Sequence, residues 1–118
     1  MSFSSDIQST FISAAVASAT AISTAAAVGN NAALTLTASP YVTDAARKIT
    51  ITCAGDDDAI SFNIVGLDQL GNAATENLAG TDGGVSTSVG YWTSITSITA
   101  VGDPAGNVSA GTSNSVAA

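Results

Sequence analysis

The chain contains no histidine, a single cysteine and only two basic residues, and each shortage excludes a class of chemistry. Without histidine, the Ser/His/Asp and Cys/His arrangements that activate nucleophiles cannot be assembled. With Cys53 alone, neither an internal disulfide nor a cysteine-based zinc site is available. Its apolar and threonine neighbours predict a buried structural thiol. The sequence therefore predicts a protein that is not an enzyme and uses no cofactor or metal.

Positive charge is confined to Arg47 and Lys48, against nine acidic residues, for a formal net charge of −7. Nucleic-acid binding depends on lysine and arginine neutralising phosphates, so we expect no nucleic-acid partner. The sequence shows no basic amphipathic segment suited to an anionic membrane surface and no apolar run long enough to span a bilayer. We expect no membrane partner, and a chain made in a host cytoplasm.

The acidic residues fall mostly where turns are expected. Aspartate is favoured in turns because its side chain accepts hydrogen bonds from its own backbone. The run 56–58 lacks the spaced Asp-x-Asp-x-Asp-Gly pattern and the distant glutamate of a calcium-binding loop. We interpret this run as a solvated turn rather than a metal site or a catalytic carboxylate pair.

Alanine supplies much of the 46% apolar content, while aromatic residues make up only 5%. Because alanine buries little area, the hydrophobic driving force of such a chain is limited. Burial between subunits or against a partner would add to that force, which indicates a protein that works in an assembly.

From residue 32 onward, apolar residues alternate with threonine, serine and asparagine, the period of a half-buried strand. The pattern predicts strands that include residues 34–36, 49–53, 60–64, 85–89 and 93–101. Turn-forming residues separate them, as at 68–72, where Gly71 stands at a position in which positive φ costs little. Short alternating runs with such turns predict an all-β fold, an antiparallel β-sandwich or small barrel.

Residues 1–31 differ from the rest of the chain. The spacing of the first large apolar residues suits a helix, but the Ala/Ser/Thr tract that follows carries β-branched residues that weaken this prediction. We interpret the segment as an N-terminal arm whose conformation depends on a neighbour; a first strand or short helix packed on its own domain is the alternative. The expected organisation is an arm at 1–31, a β-sandwich domain at 32–112 and a C-terminal tail at 113–118.

Candidate interface residues come from three classes of side chain. Large apolar residues in an arm with little core of its own need a covering surface, and amphipathic aromatics are favoured at interfaces. The two basic residues either guide docking or pair locally with Asp44, whereas Trp92 is expected to anchor the core. The candidates are Phe3, Ile7, Phe11, Ile12, Tyr41, Arg47, Lys48 and Tyr91.

The segment 45–112 carries a distinctive order of motifs. It contains Ala-Ala-Arg-Lys-Ile-Thr-Ile-Thr-Cys-Ala-Gly-Asp, then Ile-Ser-Phe-Asn-Ile-Val-Gly-Leu-Asp-Gln-Leu-Gly-Asn, Glu-Asn-Leu-Ala-Gly, Tyr-Trp-Thr-Ser-Ile-Thr-Ser-Ile and Ala-Gly-Asn-Val-Ser-Ala-Gly-Thr. This segment resembles small structural proteins encoded among the head and tail genes of tailed bacteriophages. The resemblance implies an Ig-like β-sandwich and a virion role, most directly a capsid decoration (cement) protein, and it carries no catalytic motif.

We therefore expect homo-oligomers, with a trimer as one arrangement, on the outer capsid surface of a virion. Binding to several copies of the major capsid protein would reinforce the contacts between them, because multivalent contacts make later binding events intramolecular. Two alternatives stay open. One is a tail or fibre component of a phage, and the other, of a different class, is a free surface-binding adhesin or ice-binding module.

Overall fold

The computed structural model describes residues 17–116 of the 118-residue chain. Within that range the chain forms strands and no helix, so the predicted all-β class is confirmed. The strands are β1 (Ser18–Ala26), β2 (Tyr41–Cys53), β3 (Ser61–Asp68), β4 (Ala73–Ala79), β5 (Val85–Thr87), β6 (Trp92–Val101) and β7 (Val108–Val116).

The strands pair antiparallel in the order β1-β7-β2-β6-β3-β4, with β5 beside β2. Strand β2 belongs to two groups of strands. Its first part pairs with β6, and this group continues to β3 and β4. Its second part pairs with β5 and with β7, and this group continues to β1. The register with β6 shifts between Val42 and Arg47, where β2 leaves one group for the other. The sheet ends at β1 and β4 and is not closed into a barrel, so the arrangement is compatible with a β-sandwich.

One buried cluster lies between the two groups of strands. The alternation of apolar and polar residues creates it, because successive side chains of a strand point to opposite faces of the sheet. Ile22 of β1 and Val108 of β7 come from one group, and Ile64 of β3 and Ile98 of β6 come from the other. Trp92, only 2% exposed, belongs to the same cluster, as expected for an internal anchor.

The clearest alternating runs are strands in the structure. Residues 49–53 lie in β2 and residues 61–64 in β3. Strand β5 is shorter than predicted and ends at Thr87. The reason is local: the Ser88 amide still donates to the Ile49 carbonyl, but the Ile49 amide donates to the Ser88 hydroxyl instead of a backbone carbonyl, and this hydroxyl donates to the Gly90 carbonyl.

The strand predicted at residues 34–36 is not observed. The segment makes a single β-bridge, between Ala33 and Thr99 of β6, and the Leu34 amide donates to the Ile98 carbonyl. Farther along, the Ser23 hydroxyl donates to the Thr35 carbonyl, and the Thr37 amide donates to the Ile22 carbonyl. The segment therefore passes from β6 to β1 and pairs continuously with neither. The alternation predicted the burial of Leu34 correctly, but the strand it predicted is wrong.

Both ends of the domain extend beyond the expected limits. Part of the segment interpreted as an N-terminal arm is strand β1, which pairs with β7 and buries Ile22 completely. This portion is thus a first strand packed on its own domain, the alternative interpretation. At the other end, β7 continues to Val116, into the segment predicted as a tail, and the Arg47 Nη1 donates to the Ser113 carbonyl.

Candidate interaction surface

The β3–β4 hairpin presents an exposed leucine at its tip. The Asp68 carboxylate accepts hydrogen bonds from the amides of Leu70 and Asn72, and Gly71 adopts a φ of 79°. Glycine reaches that left-handed conformation without a steric cost, which makes the turn tight. The predicted turn at residues 68–72 is therefore confirmed, and it holds Leu70 with 76% of its surface exposed.

The loop between β5 and β6 lies against the same hairpin through Glu76 of β4. One carboxylate oxygen of Glu76 accepts a hydrogen bond from the Val89 amide at 2.8 Å, and the other accepts one from the Gly90 amide at 3.0 Å. This carboxylate joins the two groups of strands at an edge where no ladder joins β4 to β5. It also fixes Val89, which is 82% exposed, beside the hairpin.

Replacing Glu76 by alanine is expected to lower the free energy of unfolding by about 1–2 kcal/mol, because two charge-assisted hydrogen bonds to backbone amides are lost from a half-buried site. Urea unfolding of this variant and of Thr75→Ala, an exposed neighbour on the same strand, measures the difference. Equal stability of the two variants would show that the loop is held by other contacts.

A groove of about 400 Å³ lies between the hairpin and the β5–β6 loop. We call it the hairpin groove. Its wall combines Leu70, Ala74, Tyr91 and Trp92 with the carboxylates of Asp68 and Glu76. Both carboxylates already accept hydrogen bonds from backbone amides. The groove is an apolar recess with polar edges, next to two highly exposed apolar side chains, and such a patch is typical of a binding surface.

Lys48 and Tyr91 meet at this surface. The Lys48 ammonium lies 5.4 Å from the centre of the Tyr91 ring, within the range of a cation–π contact. Tyr91 also lines the hairpin groove, whereas Lys48 is half-buried on β2. The structure therefore brings two of the predicted interface residues together and places one positive charge beside Tyr91, a residue that lines the groove.

Arg47 is buried and forms its observed bonds within the domain. Only 2% of its surface is exposed, and its guanidinium forms a two-pronged pair with the Asp44 carboxylate at 2.7 and 2.9 Å. It also donates to the Ser113 carbonyl of β7 at 3.0 Å. These contacts match the local pairing considered for Arg47, rather than a role in guiding docking. Tyr41 is half-buried against the core cluster and lines a second groove together with Arg47.

The outer face of β4, β3 and β6 carries no charged residue along its three strands. The registers place Asn63 opposite Asn77 on one side and Thr99 on the other, and Val65 opposite Thr75 and Ser97. The amide nitrogen of Asn77 donates to the Asn63 side-chain oxygen at 2.7 Å. We call these residues, with Ser61, Ala79 and Val101, the uncharged outer face.

The aspartate run occupies a turn at the other end of β3, but it is not uniformly solvated. Asp57 is 1% exposed, and its Oδ1 accepts a hydrogen bond from the Ala105 amide at 2.6 Å. The Asp57 amide donates to the Thr81 carbonyl. Asp57 therefore joins three loops, whereas Asp56 and Asp58 are exposed as expected for a solvated turn.

A hydrogen bond to Asp56 and the negative charges of Asp56 and Asp82 raise the pKa of Asp58 above its ordinary value. The folded state therefore binds this proton more tightly than the unfolded state. Stability falls as pH rises from about 3.9, the ordinary aspartate value, through the raised pKa. At neutral pH the three carboxylates repel one another.

We expect Asp58→Asn to raise the melting temperature at pH 7, because the amide mimics the protonated carboxyl, and to change it little near pH 3. Calorimetry at both pH values measures this difference. Asp103→Asn, which removes one charge from another exposed loop, is the control and is expected to give a smaller gain. A gain for Asp58→Asn that is as large at pH 3 as at pH 7 would contradict the electrostatic explanation.

Cys53 is 1% exposed at the end of β2, so the predicted buried thiol is confirmed. Burial raises the pKa of the Cys53 thiol, and the Asp57 carboxylate adds to the shift while Thr81 opposes it. A thiol that stays protonated at neutral pH is a weak nucleophile.

Four of the predicted interface residues, Phe3, Ile7, Phe11 and Ile12, lie outside the described residues. The prediction missed Leu70 and Val89, the two most exposed large apolar side chains between residues 17 and 116. The sequence pattern that marks them is weak: each is a single large apolar residue followed by glycine in a turn segment, as in Leu70-Gly71 and Val89-Gly90. Such residues have no strand neighbours to cover them.

No family model, no curated protein and no solved structure matches this chain. Over residues 17–116, no group of three or more histidine, cysteine or acidic side chains is arranged to hold a metal ion. The same part of the chain contains no helix with the length and apolar character to cross a membrane.

Proposed function

We propose that this chain is a virion structural protein, a capsid decoration protein that binds the outer capsid and reinforces contacts between major capsid protein subunits. The observation that carries the proposal is the surface around the hairpin groove. There Leu70 and Val89 are exposed beside Tyr91 and Lys48, in a chain whose limited core favours further burial. The bacteriophage resemblance of segment 45–112 supplies the virion context.

Charge supports an outward position on the particle. The chain carries nine acidic residues against two basic ones, and Arg47 is already paired with Asp44. A surface with this balance is repelled by packaged nucleic acid, since phosphates are bound through lysine and arginine. The acidic excess also keeps a largely uncharged domain soluble.

Binding to particles that lack this chain tests the proposal. We expect Leu70→Asp and Val89→Asp to weaken binding to such particles at least tenfold, because each places a charge where an apolar contact forms. Val101→Asp is the matched control: Val101 is also exposed, but it lies at the far end of β6 from the hairpin groove. Binding that Val101→Asp weakens as much as the other two would remove the hairpin groove from the proposal.

One observation favours a second candidate, a free surface-binding or ice-binding module. The uncharged outer face presents Asn77, Asn63 and Thr99 in register across the neighbouring strands β4, β3 and β6, which suits contact with a flat surface that carries no charge. An assay for ice recrystallisation tests this candidate directly. Ice crystals that grow as fast with the protein as without it would eliminate the ice-binding form.

A further inference from the structure

The free edge of β4 is a regular row of backbone groups. The Gly80 amide donates to the Ile60 carbonyl and the Asp68 amide to the Asn72 carbonyl, which fixes the alternation of the ladder between β3 and β4. In an antiparallel pair, every second residue bonds to its partner strand and the intervening ones point away. Ala73, Thr75, Asn77 and Ala79 therefore direct their amides and carbonyls away from β3.

The other edges of the sheet are protected. On β1 the register with β7 shifts twice, and the Thr37 amide and hydroxyl already donate to the carbonyls of Ile22 and Ala21. Strand β5 contains only three residues. These are the features by which proteins prevent unwanted strand pairing: irregular, covered or very short edges.

Strand β4 is less protected: the Ser86 hydroxyl of β5 donates to the Ala79 carbonyl at the end of the strand, and that carbonyl keeps a second lone pair for pairing. Strand β4 forms seven consecutive pairs with β3 without a bulge, and it contains neither proline nor lysine. Its one charged residue, Glu76, lies on the opposite side of the strand from the uncharged outer face, and its carboxylate bonds to the Val89 and Gly90 amides. We call the four residues whose backbone groups point away from β3 the edge-directed residues, and their side chains are small and uncharged.

We propose that β4 pairs antiparallel with β4 of a second copy of this chain across a two-fold axis at Asn77. Only registers that pair edge-directed residues with one another allow hydrogen bonds. The register centred on Glu76 is disfavoured, because like charges directly opposite each other are destabilising. Centring on Asn77 pairs Thr75 with Ala79 of the second copy and places Glu76 opposite Leu78.

The second copy suits this edge because the register is self-complementary in shape and charge. Asn77 lies opposite its own equivalent, which continues the Asn63–Asn77 hydrogen-bonded row across the axis. The uncharged outer face then extends over both copies without bringing acidic loops together, since the loops with Asp56, Asp58 and Asp82 lie beyond the strand ends. The resulting dimer differs from the trimer considered in the sequence analysis.

Disulfide trapping tests the pairing and its register. In the proposed dimer the two Asn77 Cα atoms are about 5.5 Å apart, within the span of a disulfide. Asn77→Cys is therefore expected to form a covalent dimer under mild oxidation. Asn63→Cys is the matched control, equally exposed on the same face but about 14 Å from its equivalent, three strand spacings away. The native Cys53 is buried in both variants.

Introducing a charge at the edge provides a second test, read by sedimentation at micromolar to sub-millimolar protein concentrations. The unmodified chain is expected to dimerise, Asn77→Lys to remain monomeric, and Asn63→Lys to dimerise. Mixing Asn77→Lys with Asn77→Asp should restore a dimer, because opposite charges directly across two strands attract. A chain that stays monomeric throughout, or covalent dimers of Asn63→Cys as abundant as those of Asn77→Cys, would overturn the proposal. These experiments need no capsid, so their outcome is independent of the proposed function.

Discussion

Replacing Ile22 by alanine is expected to lower the free energy of unfolding by about 3 kcal/mol, within the range for removing a buried isoleucine side chain. Ile22 is fully buried, and it is the large side chain by which β1 enters the core cluster. A loss of this size is a substantial part of the 5–15 kcal/mol that stabilises a typical domain. Denaturant unfolding of the full chain measures it.

Thr24→Ala is the matched control, since Thr24 lies on the same strand with its side chain exposed. Its expected effect is below about 0.5 kcal/mol. If Ile22→Ala were as stable as Thr24→Ala, β1 would contribute nothing to the domain, and the whole of residues 1–31 would again be interpreted as an arm.

Replacing Arg47 by methionine is expected to cost about 3 kcal/mol, because several hydrogen bonds from a buried guanidinium are lost. The variant keeps much of the side-chain volume, so the loss reports the interactions with Asp44 and the Ser113 carbonyl rather than a cavity. Thermal and denaturant unfolding measure the change.

Lys48→Met removes the same charge from the next residue and is expected to change stability by less than about 1 kcal/mol, since a cation–π contact that is partly open to solvent contributes little. Under the proposed function it weakens particle binding instead. The opposite pattern, with a stable Arg47→Met and a strongly destabilised Lys48→Met, would reverse the roles assigned to the two basic residues.

The sequence predicted those strands in which burial and pairing coincide. In residues 49–53 and 61–64, large apolar side chains point to the core from strands that also have neighbours on both sides. Turn chemistry was equally informative at Asp68 and Gly71, because the aspartate side chain and the positive φ act locally.

Prediction failed where the structure depends on contacts between distant segments. Strand β1 is rich in alanine, serine and threonine and contributes one large side chain to the core, so no periodic signal marked it. Burial of Arg47 required Asp44 and the Ser113 carbonyl, 66 residues away, to converge on it. At the candidate surface, the sequence indicated Tyr91 and Lys48. A single apolar residue next to glycine was too weak a signal to select Leu70 and Val89, whose two turns meet at one end of the domain only in the fold.

The proposed role requires this chain to be present across the whole capsid, and its copy number in purified particles tests that role most directly. Quantitative mass spectrometry gives the ratio of this chain to the major capsid protein. A ratio within a few-fold of the shell protein is the predicted result. A far lower ratio would assign the chain to the tail or a vertex, and its absence from the particles would contradict the virion role.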